Sequence, residues 1–243
     1  MEVHPPHHPT HKKNWKEYLL EFLMLFFAVT LGFFAENIRE KMSEKQKAKE
    51  LIETVAKDLK IDLEQLKTLK NFQSEKVKLC DSFRTLITSN PASIDQRDFY
   101  RVVANFTVFF TFPSNDKSRL EAESKGYLSD PENSLLADYL HKYSFWLNDY
   151  RDLDKIYLNH AQKYMYEILP IITDPDIFDI QWRFPFPTLK SKIGITPLSP
   201  AAIRQTKYTI SNTKALMDTY KSDMDSMICY AKKSIDFIEH KYK

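Results

Sequence analysis

The sequence predicts an all-α protein: an N-terminal transmembrane helix that continues into a bundle of long helices with coiled-coil-like seams. Three observations predict it. Glycine is scarce, with Gly32, Gly126 and Gly194 the only three in 243 residues, and a glycine in a helix interior costs roughly 1 kcal/mol relative to alanine. Apolar residues recur at spacings of three and four over several long stretches, which is the period of a helix face. Proline marks helix starts, as in Asp130-Pro131 and Ser199-Pro200, where a capping side chain precedes a first-turn proline.

Residues 1–13 read as a disordered tail rich in histidine and proline, "HPPHHPTH". His4, His7, His8 and His11 are the weak candidates for a divalent metal. Ordering a flexible tail around an ion is entropically costly, and no carboxylate or cysteine completes a rigid shell. A solvated tail is the better reading, and no metal site is assigned.

Residues 14–40 are expected to be the transmembrane helix. From Phe22 to Ala35 fourteen residues carry no charge, and extension back to Tyr18 gives eighteen with Glu21 inside. At 1.5 Å per residue that is ~27 Å, close to the hydrocarbon thickness of a bilayer. Phe22, Phe26, Phe27, Phe33 and Phe34, with the leucines between them, cover every side of the helix, as in a buried or lipid-facing segment. Trp15 and Tyr18 sit at one end, as an aromatic belt would. A cleaved signal peptide fits poorly, since Phe33 stands where a small residue should precede the cut. Glu21 is the intramembrane ionisable residue, and its place near the edge, one turn after Glu17, favours pairing at the interface over an ion path.

Residues 41–243 read as a helical extracytoplasmic domain. In "SEKQKAKELIETVAKDLKIDLEQLKTLK" the residues Ile52, Val55, Leu59, Leu66 and Leu69 keep a three-four spacing that Asp62 interrupts. Asn90-Pro91 ends this helix, because the residue before proline avoids the α conformation. "DFYRVVANFTVFFTF" reads as a helix followed by a short extended run that Pro113 stops. Gly126 suits a helix C-cap, where a positive φ is needed. A long helix is expected from Pro131 to Leu169, on the repeat of Leu136, Leu140, Tyr143, Leu147 and Tyr150, with Pro170 closing it. A last helix starts at Ser199-Pro200 and carries a seam through Ile210, Thr213, Met217, Tyr220, Met224, Met227, Ala231 and Ile238.

Between the last two helices, residues 170–199 read as a long aromatic loop. Ile177, Phe178, Trp182, Phe184 and Phe186 are too apolar for a free linker. They plug one end of the bundle or form a partner or ligand surface, with Trp182 as its anchor. Asp174, Asp176 and Asp179 are oxygen ligands in type only. An EF-hand needs glycine at its sixth position and glutamate at its twelfth, and counting from Asp174 those hold Asp179 and Pro185.

Several chemistries are excluded. No two glycines lie within sixty residues of each other, so glycine-rich phosphate loops and the G-x-S-x-G elbow are absent. The two cysteines, Cys80 and Cys229, form no C-x-x-C. They are either small buried hydrophobes or one long-range disulfide in an exported domain. The net charge of +2, with lysines interleaved among acids, makes no case for nucleic acid. Nothing calls for a cofactor, and no catalytic residue is identified.

Three segments together resemble a known family: "WKEYLLEFLMLFFAVTLGFFAENIREK", "AKELIETVAKDLKID" and "SRLEAESKGYL". They are similar to single-span inner-membrane proteins of Bacteroidota that share a domain of unknown function. The third segment departs from that family's direct Ser-Gly pair, with "ESKGYL" in its place. The resemblance implies an inner-membrane anchor with a helical extracytoplasmic domain, and it carries over no catalytic residue. Lys12, Lys13 and Lys16 before the span are nearly balanced by Arg39, Lys41 and Lys45 after it, and the expected orientation is N-terminus cytoplasmic, C-terminal domain periplasmic. The expected function is a membrane-anchored interaction or scaffold protein with the lipid bilayer, further copies of itself and other envelope proteins as partners. The alternatives are a helical ligand-binding domain using residues 174–186 and an ion-conducting or motor-type oligomer using Glu21.

Overall fold

The computed structural model describes residues 14–90, 93–106, 108–174 and 198–242. Among them every regular element is a helix: α1 (Trp15–Thr88), α2 (Gln96–Phe106), α3 (Lys117–Ser124), α4 (Ser134–Lys163), α5 (Leu169–Ile172) and α6 (Pro200–Tyr242). The all-α class is therefore as the glycine shortage and the seams predicted. The chain divides into two compact units, Met1–Glu50 and Leu51–Lys243. Charged side chains take over from Glu36, yet among the described residues the first buried one is Ile52.

In the second unit α1 contributes a seam that steps by three and four without interruption. It runs from Ile52 through Leu59, Asp62, Leu66, Gln73, Lys76 and Cys80 to Phe83 and Ile87, all buried. On spacing alone Asp62 is a break in the apolar pattern. The structure corrects this: Asp62 is 0% exposed and in register. α6 lies antiparallel to this part of α1, with Lys60 paired to Glu239, Lys70 to Asp225 and Lys214 to Asp81. These exposed pairs fix register more than they stabilise, since each is worth at most about 1 kcal/mol. α4 runs parallel to α1, with Tyr143 meeting Asp62 and Tyr164 meeting Phe83. All eight residues of the expected α6 seam are buried, from Ile210 to Ile238.

Two parallel helices need a connection that returns along their length, and α2 with the segment after it provides one. Val108–Asn115 is extended and retraces α1: Phe110 packs on Phe72 at 4.5 Å between ring centroids, Phe109 on Tyr157 at 4.7 Å and Phe112 on Tyr150 at 6.1 Å. α3 then ends in a Schellman turn. Gly126 adopts φ 73°, its N–H bonds to Glu123, and the Tyr127 N–H reaches Ala122.

The helix expected from Pro131 to Leu169 is subdivided. A 3-10 turn, Pro131–Asn133, capped by the Asp130 side chain, leads into α4, and a π-helical turn, Tyr164–Ile168, separates α4 from α5. Pro170 does not close the helix; it sits in the first turn of α5. There its missing N–H is no loss, and the widened π turn shifts the hydrogen-bond register ahead of it. The loop thus begins at Thr173 instead of residue 170.

Candidate functional site

Every residue from Asn14 to Lys47 is exposed. Trp15, Tyr18, Phe22, Phe26, Phe27, Phe33 and Phe34 all stand on this part of α1, each more than half exposed. An eighteen-residue window within α1 is long and apolar enough to cross a membrane, and none of it is buried within the chain. Phe26 contacts Phe22 and Phe27 along the helix, leaving the outer faces of the rings free. Past Ala35 the surface turns ionic, with Arg39 bonded to Glu36 and Lys47 to Glu44. Glu21 lies inside the apolar stretch on the groove it shares with Lys16, Glu17, Leu20 and Met24.

Among the described residues of the second unit four acidic or basic side chains are buried, Asp62, Lys76, Arg119 and Asp223, and two of them, Lys76 and Asp62, are tied to the segment between α2 and α3. Lys76 is 3% exposed, and its Nζ donates to the carbonyl oxygens of Asn105 at 2.7 Å, Phe106 at 2.6 Å and Val108 at 2.9 Å. It also lies over the Phe106 ring. These carbonyls close α2, where the helix presents acceptors without intrahelical donors and the negative end of its dipole. Burial lowers the Lys76 pKa to about 7, with the Cys80 sulfur acting in the opposite direction.

Asp62 serves the other end of the extended segment. Its Oδ1 accepts from the Asn115 backbone N–H at 2.9 Å and from Asn115 Nδ2 at 2.8 Å, and its Oδ2 accepts from the Tyr143 hydroxyl at 2.7 Å. Burial and the Asp62 charge push the Tyr143 pKa well up, so that hydroxyl remains a donor. One helix turn away, Ser118 donates to Asp58. Arg151 reaches Ser114 and Asp116 from α4. A segment with neither a helix nor a ladder partner must satisfy its backbone polar groups elsewhere. Here a cation takes carbonyls at the start and an anion takes an N–H at the end.

Four tyrosines form a column at seven-residue spacing on α4 and the π turn: Tyr143, Tyr150, Tyr157 and Tyr164, all buried. Tyr157 donates to the Phe106 carbonyl and Tyr220 of α6 donates to Asp154. The sequence repeat through Tyr143 and Tyr150 marks the first two of the column, and the same seven-residue step along the sequence leads to Tyr157 and Tyr164.

Cys80 and Cys229 are both free; Cys80 is buried and Cys229 exposed. The disulfide alternative is thereby corrected, and so is the expectation that both are buried. Burial raises the Cys80 pKa to about 11, so its thiol is unreactive at neutral pH. His4, His7, His8, His11, Phe178, Trp182, Phe184 and Phe186 lie outside the described residues. Among the described residues no three His, Cys, Asp or Glu side chains are grouped to hold a metal ion. Comparison with protein-family models, curated proteins and solved structures finds no match for this chain.

Proposed function

We propose that this chain is a single-pass protein of a bacterial inner membrane whose helical domain acts as an interaction scaffold and assembles with further copies of itself. One observation carries the reading: the apolar surface of α1 from Trp15 to Phe34 is exposed on every side of the helix. Soluble monomers rarely expose contiguous apolar patches beyond a few hundred Å², and a helix apolar all round belongs in lipid or in a protein interior. The lipid bilayer is therefore the first partner. The scaffold role suits a bundle in which the buried Lys76 and Asp62 have their bonds committed to backbone, Asn115 and Tyr143.

The N-terminus is assigned to the cytoplasm and the bundle to the periplasm. Cys229 tests this without an engineered probe, because it is the exposed cysteine and Cys80 is sealed. A thiol reagent that passes the outer but not the inner membrane should label Cys229 in intact cells; labelling only after lysis would reverse the orientation. Mass measurement in mild detergent tests the assembly. A strict monomer with no co-purifying protein contradicts the scaffold reading.

A further inference from the structure

Three cations with no acid of their own line one open cleft between α1 and α6. Arg84 comes from α1; Arg204, Lys207, Tyr208 and Ser211 come from α6, with Ile203 on the same wall. The α6 residues share a face because they lie three or four positions apart. Among the described residues Arg84, Arg204 and Lys207 form no ion pair. Asp81, one turn before Arg84, is taken by Lys214. From Pro200 to Met217 α6 carries Arg204, Lys207 and Lys214 and no acid.

Other surfaces of the bundle show the reverse pattern. Lys78, Arg101, Lys142 and Lys155 each have an acid one turn away: Glu75, Asp98, Asp138 and Asp152. Arg204 and Lys207 instead set like charges one turn apart, which disfavours the helix, and Arg84 adds a third from the neighbouring helix. The cleft is also rich in donors. Two guanidinium forks, an ammonium and the Ser211 and Tyr208 hydroxyls offer more than a single carboxylate can accept. A phosphate monoester brings a charge of about −2 and three strong acceptor oxygens, and arginine forks match its geometry. The Tyr208 ring, 68% exposed, and Ile203 give the cleft an apolar side. Its volume of about 530 Å³ falls within the roughly 300–1,000 Å³ of small-molecule sites.

We propose that this cleft is a phosphate-binding site for a small phosphomonoester. Arg84 and Arg204 take the phosphate oxygens from two helices, Lys207 adds charge, and the organic part lies against Tyr208 and Ile203. The site belongs to the helical bundle and depends neither on the anchor nor on self-assembly. Bound phosphate replaces the mutual repulsion of three cations by attraction, so occupancy ties α1 to α6 and stabilises the folded bundle.

The experiment titrates the full-length protein, in mild detergent and phosphate-free buffer at fixed ionic strength, with phenyl phosphate, inorganic phosphate and an oligoglutamate peptide. Calorimetry reads binding, and the melting temperature reads stabilisation. Phenyl phosphate should bind saturably at a single site per chain and raise the melting temperature. R84Q and R204Q should each weaken it roughly tenfold, while K155Q, which removes a paired surface cation outside the cleft, should leave it unchanged. Equal binding of inorganic phosphate supports the site and assigns it to the free ion; tighter binding of phenyl phosphate that Y208A abolishes supports it and assigns it to an ester. Circular dichroism checks the fold of each variant, and should one arginine variant fail to fold, the other decides. No saturable binding of either phosphate compound at millimolar concentration overturns the proposal. So does an equal loss in K155Q, which marks diffuse charge, or tighter binding of the oligoglutamate peptide, which marks a surface for an acidic protein segment.

Discussion

Replacing Asp62 by alanine removes the acceptor for three donors at once: the Asn115 N–H, Asn115 Nδ2 and the Tyr143 hydroxyl, at 2.9, 2.8 and 2.7 Å. The buried Tyr143 hydroxyl is then left with no acceptor, and the part-buried Asn115 N–H loses its acceptor as well. Each orphaned group costs about 1–3 kcal/mol, so D62A should destabilise the bundle by about 3–5 kcal/mol. That is a large share of the 5–15 kcal/mol typical of a whole domain. Denaturant unfolding of the full chain in mild detergent, followed by near-ultraviolet circular dichroism of the tyrosines, measures it. Asp62→Asn keeps one acceptor for the Asn115 N–H and should cost about half as much, which keeps the test readable if D62A does not fold. Tyr143→Phe should cost about 1–2 kcal/mol alone and much less in the D62A background, because the bond it removes is already gone. A D62A protein within about 1 kcal/mol of wild type, or strict additivity with Y143F, would refute the clamp.

The remaining outcomes follow from the same geometry. Lys76→Met leaves three carbonyls without their donor and should cost about 2–4 kcal/mol. It should also speed amide exchange at the end of α2 ahead of the bundle core. Because the Lys76 pKa is lowered from 10.5 to about 7 in the folded state, the unfolded chain binds more protons between those values. The wild type should therefore gain stability relative to K76M as pH rises through that window. Gly126→Ala forces a side chain into φ 73° and should cost about 1 kcal/mol in thermal or denaturant unfolding. A thiol reagent at neutral pH should modify Cys229 quickly and Cys80 only on unfolding, read as one adduct against two by mass spectrometry.

Much of the fold could be read directly because helix period and helix punctuation are local signals. The Ser199-Pro200 start, the Gly126 turn and the α6 seam all depend on residues within a few positions of one another. Asp62 was misread for a physical reason: a charge on an apolar stripe looks like an interruption until its partners are known, and those lie fifty-three and eighty-one residues away. Gln73 and Lys76 continue the same buried seam, and as polar side chains they are hidden from an apolar-spacing count for the same reason. The subdivision near Pro170 needed the backbone register, since a π turn has no sequence mark of its own. The candidate span was legible from composition alone, because a helix apolar on every side needs no partner in the chain to declare itself.

Alkaline carbonate extraction of membranes from cells making the full chain tests the anchor most directly. The account predicts that the wild-type protein stays in the membrane pellet. Paired Leu25→Arg and Leu31→Arg substitutions place two charges on the apolar stretch, each costing about 2.5–3.5 kcal/mol on insertion, and should shift the protein toward the soluble fraction while the bundle's Asp62 clamp remains intact. Release of the wild-type protein into the carbonate supernatant would contradict the account.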